Sequence, residues 1–272
     1  MIKMKRAAKL VISGCWLACL AIDRSIRQLL RVWRPKLTIL YYHSIPRAEV
    51  TAFDWQMSYL RKNCLVVRAD HQGVLGETRP NVAVTFDDAF RSVREQALAS
   101  LIRYEIPATI FVPTGYLGRA PGWQMEGNGS SDECVMSVDE LQSMASDSIR
   151  FGSHTVDHPK LSQLSDSDVL QQLRKSRETL EAIVGYAIDT LAFPYGDFGS
   201  DTVRLCAQAG YSMVYSVAPE RIDPEMPKIL RGRTSVDPTD SRLEFALKAR
   251  GAYSWMRYAS ALKAKARKLL TK

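Results

Sequence analysis

The stretch Asn81-Val82-Ala83-Val84-Thr85-Phe86-Asp87-Asp88 reads as a strand that stops on two adjacent carboxylates. Val, Ala and Phe dominate it without a clean polar alternation. That is the signature of a strand covered on both faces, as in parallel sheets. Working outward, the pattern predicts a strand over 37–42 and a helix over 53–62 with Phe53, Met57 and Leu60 on one face. Downstream it predicts a helix over 92–104, a strand over 108–112, a Gly/Ser-rich polar loop over 118–134 and a short helix over 138–144. A strand over 149–152 then leads into His154. The helix over 165–184 is bounded by Ser165 with Asp168, a cap-like start, and by Gly185 as a stop. A strand over 189–193, a helix over 200–209 and a strand over 212–217 complete the series. This alternation predicts an α/β fold with a mainly parallel sheet. The number of units favours a barrel over an open sheet. Barrel sites lie at the C-terminal strand ends, which is where Asp87, His154 and Pro194 fall.

The chain has 272 residues, 46% of them apolar, enough for the core of one large α/β domain. Its net charge of +8 is unevenly placed. Residues 1–36 carry nine Lys/Arg and one acid, residues 245–272 carry eight Lys/Arg and no acid, and the middle is net −8. Basic ends can be solvated surface, or they can contact an anionic membrane, gaining roughly 1 kcal/mol per Lys/Arg near the surface. Nucleic acid is the poorest partner, because the acidic middle would repel phosphates and no nucleic-acid motif is present. The five cysteines form no Cys-x-x-Cys pair and suggest neither a disulfide framework nor a thiolate zinc site.

The N-terminus combines a basic start with the apolar run 10–22, too short for a membrane span. Asp23 and four arginines follow without a clear cleavage site. Ile22, Ile26, Leu29, Leu30 and Trp33 recur at helical spacing, so an uncleaved amphipathic segment is expected, lying in a membrane interface or packed on the domain. A cytoplasmic or inner-membrane-associated location is favoured over secretion.

Three signals carry chemistry. Asp87-Asp88 offers two divergent carboxylates, although an Asp-Asp pair alone is more often a turn or a cap. His154 and His158 are four residues apart and would share a face on a helical turn, able to close on one metal. Pro194-Tyr195-Gly196 is a strand-end turn in which Pro fixes φ and Gly permits close backbone approach.

Together, Thr85-Phe86-Asp87-Asp88, then Ser153-His154-Thr155-Val156-Asp157-His158-Pro159, then Pro194-Tyr195-Gly196 resemble the polysaccharide deacetylase family of carbohydrate esterases. Pro107-Ala108-Thr109-Ile110-Phe111-Val112 is similar to a further strand of that family, and Tyr41-Tyr42-His43-Ser44-Ile45 to the branch that trims bacterial exopolysaccharides. The resemblance implies a distorted (β/α) barrel over 37–244, between a basic amphipathic segment 1–36 and a basic C-terminal helix 245–272. It implies a hydrolase that removes N-acetyl groups from a glycan. Asp88, His154 and His158 would hold a divalent metal, with zinc best suited and cobalt or nickel also fitting. Asp87 would be the general base, and the Tyr195 backbone N–H would hold the oxyanion. No histidine follows His158, so the general acid of many relatives is missing, and His43 is the expected substitute. His71 reads as surface polarity. Arg231 or Arg233 would orient Asp87, with Pro194 supporting the turn. Ala89 stands where the family usually has Gly, at a cost on the order of 1 kcal/mol if φ there is positive. Two alternatives remain: a deacetylase or deformylase of a lipid-linked sugar, and an inactive glycan-binding relative.

Overall fold

Six parallel strands build most of the wall of the protein, and every position in them but Arg150 is buried, because one face meets the barrel interior and the other meets helices. A computed structural model describes residues 2–123, 133–226, 228–259 and 262. The middle of the polar loop expected over 118–134, and most of the basic C-terminal segment beyond residue 259, lie outside the described residues.

The chain opens with helix α1 (Ile2–Leu29), followed by strand β1 (Leu37–Tyr42), helix α2 (Val50–Asn63), the short β2 (Leu65–Val66) and β3 (Asn81–Phe86). A π-helical turn at Val93–Ala97 then runs into α3 (Leu98–Arg103) and β4 (Ala108–Val112). The middle holds α4 (Val138–Met144), β5 (Ile149–Ser153), α5 (Asp166–Val184), β6 (Thr190–Ala192), α6 (Thr202–Gln208) and β7 (Met213–Ser216). The end holds β8 (Arg221–Ile222), β9 (Leu230–Gly232), β10 (Thr234–Ser235) and α7 (Arg242–Ala249). Helix α5 carries the expected start and stop: Ser165 accepts from the Asp168 N–H, and Gly185 closes the helix at φ 75°.

The sheet runs β10-β1-β3-β4-β5-β6-β7-β9, parallel throughout, with β2 beside β3 and β8 antiparallel to β1. Its two ends, β9 and β10, are separated in the chain by Arg233 alone. The Arg233 N–H donates to the Ser216 carbonyl beside β9, and the Val236 N–H donates to the Tyr41 carbonyl on the β10 side. The sheet is therefore a nearly closed, distorted (β/α) barrel, with Arg233 at its seam. Leu37, Ile39, Ala83, Phe111, Ala192 and Tyr215 pack inside it, while Leu40, Tyr42, Val82, Val84 and Phe86 face the helices. Alternate residues thus serve two cores, which is why no polar alternation shows in the sequence.

Helix α1 is one continuous element of 28 residues. Leu10 and Leu17 pack on Leu247, Ala252 and Tyr253. Trp16 Nε1 donates to Ser254 Oγ at 3.0 Å, and Trp255 Nε1 donates to Ser13 Oγ at 2.9 Å. The boundary expected at 244/245 falls inside α7, which ends before Gly251 turns the chain at φ 73°.

Candidate metal centre and active site

Five non-glycine residues at the C-terminal end of the barrel hold left-handed backbone: Asp88 (φ 67°), Ala89 (48°), Thr155 (68°), His158 (55°) and Tyr195 (57°). Such geometry costs about 1–2 kcal/mol per residue. Its concentration here marks strain kept at a functional place. Ala89, fully buried, takes the positive φ at which the sequence suggested a penalty.

These conformations gather three ligand-type side chains. Donor atoms of Asp88, His154 and His158 all lie within 4.8 Å of one another, and all three residues are buried. The histidines are not on a helical turn, as their spacing suggested. They follow β5 on an irregular loop that Thr155 and His158 bend through left-handed backbone. The loop is pinned from α5, where Gln172 Oε1 accepts from the N–H groups of Val156 and Asp157, both at 3.0 Å. The His rings come to 4.8 Å between centroids.

The set fits a cation. Asp88 Oδ1 is buried without a hydrogen-bond partner among the described residues, although the Nε2 atoms of His158 and His154 lie 3.2 and 3.5 Å away. A buried carboxylate oxygen left so exposed in energy wants positive charge. Burial pushes His154 down to about 4, only partly countered by Asp87, so its ring is neutral. Its Nδ1 lies 2.8 Å from the Ala192 carbonyl, which makes Nδ1 the protonated nitrogen and leaves Nε2 as a lone pair facing Asp88. His158 is held by rings instead: Trp123 stacks on it at 4.2 Å and 22°, and Tyr195 meets it at 4.6 Å and 70°.

Asp87 is set quite differently. Its two oxygens accept from Arg233 at 2.6 and 2.8 Å, a bidentate pair buried from solvent. Burial raises the carboxyl's pKa, but the Arg233 charge and hydrogen bonds outweigh it and hold Asp87 below its ordinary value. The guanidinium lies over the rings of Tyr41, Phe111 and Tyr215 at 4.7, 5.2 and 5.8 Å. Arg231, also buried, turns elsewhere and donates to the carbonyls of Ala69 and His71. Of the two arginines, Arg233 makes the contact with Asp87.

His43 is exposed where β1 ends, its ring 5.6 Å from Tyr41 and edge-on. It is close enough for its charge to help lower Asp87. His71 is half-buried in a loop, its Nε2 3.3 Å from the Val74 carbonyl, and is not part of this cluster. Pro194 is buried at the start of the turn that places Tyr195 against His158. Trp123 was missed in the sequence because it sits in a Gly/Ser-rich polar loop. A lone Trp in such a loop was the signal available.

A family model described as polysaccharide deacetylase matches residues 76–214. The chain is 24% identical over 229 residues to the Bacillus subtilis protein YxkH, whose own name places it among polysaccharide deacetylases, covering 80% of this chain and 76% of that one. It is 27% identical over 164 residues to a poly-beta-1,6-N-acetyl-D-glucosamine N-deacetylase of Staphylococcus aureus (strain MSSA476), covering 55% of this chain and 54% of that one. The chain thus spans about half the length of that relative. Among solved structures, IcaB from Ammonifex degensii superposes with a TM-score of 0.67 at 24% identity, covering 80% of this chain and 97% of the other. The shared fold, and a family match that spans the carboxylate pair, both histidines and the Tyr195 turn, lead to one conclusion: the chain belongs to the polysaccharide deacetylase family.

Proposed function

We propose that this chain hydrolyses N-acetyl groups on the amino sugars of a polysaccharide or glycoconjugate, with a divalent metal held by Asp88, His154 and His158. What carries the reading is the opposite setting of two adjacent carboxylates: Asp87 is locked to Arg233, while Asp88 faces two imidazoles with an unsatisfied oxygen. Two neutral imidazoles and a carboxylate suit zinc, and cobalt or nickel also fit. When bound, the metal supplies Lewis-acid activation of water and of the acetamide carbonyl.

The protein's own groups complete the chemistry. Asp87, ionised at neutral pH, takes the proton of the attacking water. The new C–O bond makes a tetrahedral oxyanion, to which the Tyr195 backbone N–H donates, a contact worth roughly 3 kcal/mol. The C–N bond then breaks, and His43 protonates the leaving amine as acetate departs. Arg233 keeps Asp87 aimed and charged. The name of the staphylococcal relative points to a β-linked N-acetylglucosamine polymer as the substrate class.

Elemental analysis tests the metal assignment. The chain is expected to carry close to one divalent metal per molecule, and His158→Ala to lose it together with acetate release from N-acetylated oligosaccharides. Full metal occupancy in His158→Ala would remove these residues from the metal site.

A lipid-linked amino sugar is the second substrate class, favoured by the outer face of α1. No described helix is long and apolar enough to cross a membrane. However, Val11, Ile22, Ile26 and Leu29 are 68, 61, 53 and 85% exposed, on the side of α1 opposite Leu10 and Leu17. Arg27, Arg31 and Arg34 are exposed nearby. This is the pattern of a helix lying in an anionic interface. The chain is expected to sediment with phosphatidylglycerol vesicles and not with phosphatidylcholine ones, and Ile22→Ser/Ile26→Ser to weaken that binding several-fold. Indifference to both vesicles at low salt would end this reading.

A further inference from the structure

A cleft of about 250 Å³ separates α1 from the base of the barrel, at the N-terminal ends of β1 and β3. The carboxylate pair follows the other end of β3, six residues away at about 3.3 Å each, so the cleft is distinct from the metal centre. Its lining is strongly cationic. Arg24, Lys36, Arg79, Arg221 and Arg250 converge on it, against one carboxylate, Glu77. Lys36 is neutralised by Asp223 at 2.8 Å. Arg24 and Arg79 spend hydrogen bonds on carbonyls, those of Glu77 and Lys62, which leaves their charge uncompensated.

Arg221 is the informative member. It is half-buried, yet no hydrogen bond or ion pair engages its guanidinium among the described residues; Asp23 attracts it from a distance and Arg24 repels it. Its stem runs over Gly251, where a Cβ would lie 2.8 Å from Arg221 Cγ and Cδ. The guanidinium is therefore placed by the fold rather than left to wander. Beside it the cleft holds a second unmet donor, Trp33 Nε1, and an unmet acceptor, Asn81 Oδ1, both buried. Unsatisfied buried donors beside uncompensated cations call for an anionic acceptor. A phosphate group meets the donors, since its oxygens accept from arginine and indole N–H groups.

We propose that this cleft binds a phosphate group, either as free phosphate or as the head of a phospholipid whose chains run along Leu17, Leu20 and Ala21 of α1. The inference stands apart from the deacetylase reading and does not need the metal centre. Calorimetric titration of the full chain at constant ionic strength, using orthophosphate and monomeric dihexanoylphosphatidylglycerol, tests it. Saturable binding is expected, weakened about tenfold or more in Arg221→Gln, the effect of losing one charge-assisted hydrogen bond. Arg250→Gln, an exposed position, should weaken it in the same direction if Arg221→Gln folds poorly, whereas the distant Arg204→Gln should not. Tighter binding of the lipid than of orthophosphate identifies a headgroup, and the reverse identifies free phosphate. The proposal is overturned if neither probe saturates, or if the Arg221 and Arg250 variants bind both probes like the parent chain.

Discussion

Asp87→Asn is expected to keep its metal and lose two to four orders of magnitude in kcat/KM, the span for removal of a general base. Asn fills the same space but cannot take a proton. The variant should also lose stability, because Arg233 is fully buried and would face an amide instead of a carboxylate. Breaking one side of a buried ion pair costs roughly 3–5 kcal/mol. The hydrogen bond that the Asn oxygen can still accept offsets part of this. For a chain of this size, that lowers Tm by about 6–15 °C. The two effects separate cleanly: metal content and circular dichroism measured well below Tm report the fold, and turnover at the same temperature reports the base. Turnover near that of the parent chain, with metal bound, would show that Asp87 is not the base.

With Asp87 as the proposed base, its pairing with Arg233 would also tie catalysis to barrel closure. Arg233 is the residue between β9 and β10, at the point where the two ends of the sheet approach. Its backbone continues the pairing with β7 through Ser216, and its side chain crosses the interior to the end of β3. Anything that opens the seam misplaces Asp87, so stability at the seam and precision at the site are one property in this fold.

The strands that line the barrel were legible because burial on both faces makes them continuously apolar. The expected strands over 37–42 and 108–112 coincide with β1 and β4, and Asn81–Phe86 is β3. Capping chemistry fixed α5 at both ends, through Ser165 and Gly185. By contrast, β2, β8, β9 and β10 have two or three residues each, too short to show any period, yet the last two bring the sheet to near closure. Residues 92–104 read as one helix, but the chain makes a π turn before α3, a hydrogen-bonding choice that side-chain periodicity does not encode. At the site, the residue types and their order were readable, and the geometry was not. His154 and His158 meet through left-handed backbone at Thr155 and His158 rather than through helical spacing. The choice between Arg231 and Arg233 depends on which strand residue faces the barrel interior, and a one-residue shift reverses that.

His43→Ala is expected to slow acetamide hydrolysis by about 10²–10⁴-fold while leaving hydrolysis of an activated aryl acetate within a few-fold of the parent chain. An amine is a poor leaving group unless it receives a proton as the C–N bond breaks, whereas a phenolate departs unaided. Position supports the role: β1 is buried along its whole length and delivers His43, exposed, at the barrel end that also carries Asp87 and Asp88. Among the four histidines, His154 and His158 lie in the ligand cluster and His71 lies in a distant loop. Because the His43 ring is exposed and rests only edge-on against Tyr41, its removal should leave both the fold and the metal content unchanged. The ratio of amide to ester rates is therefore the decisive readout, since a merely structural role would depress both together. Equal losses on the two substrates would take His43 out of proton transfer and leave the amine to be protonated by solvent.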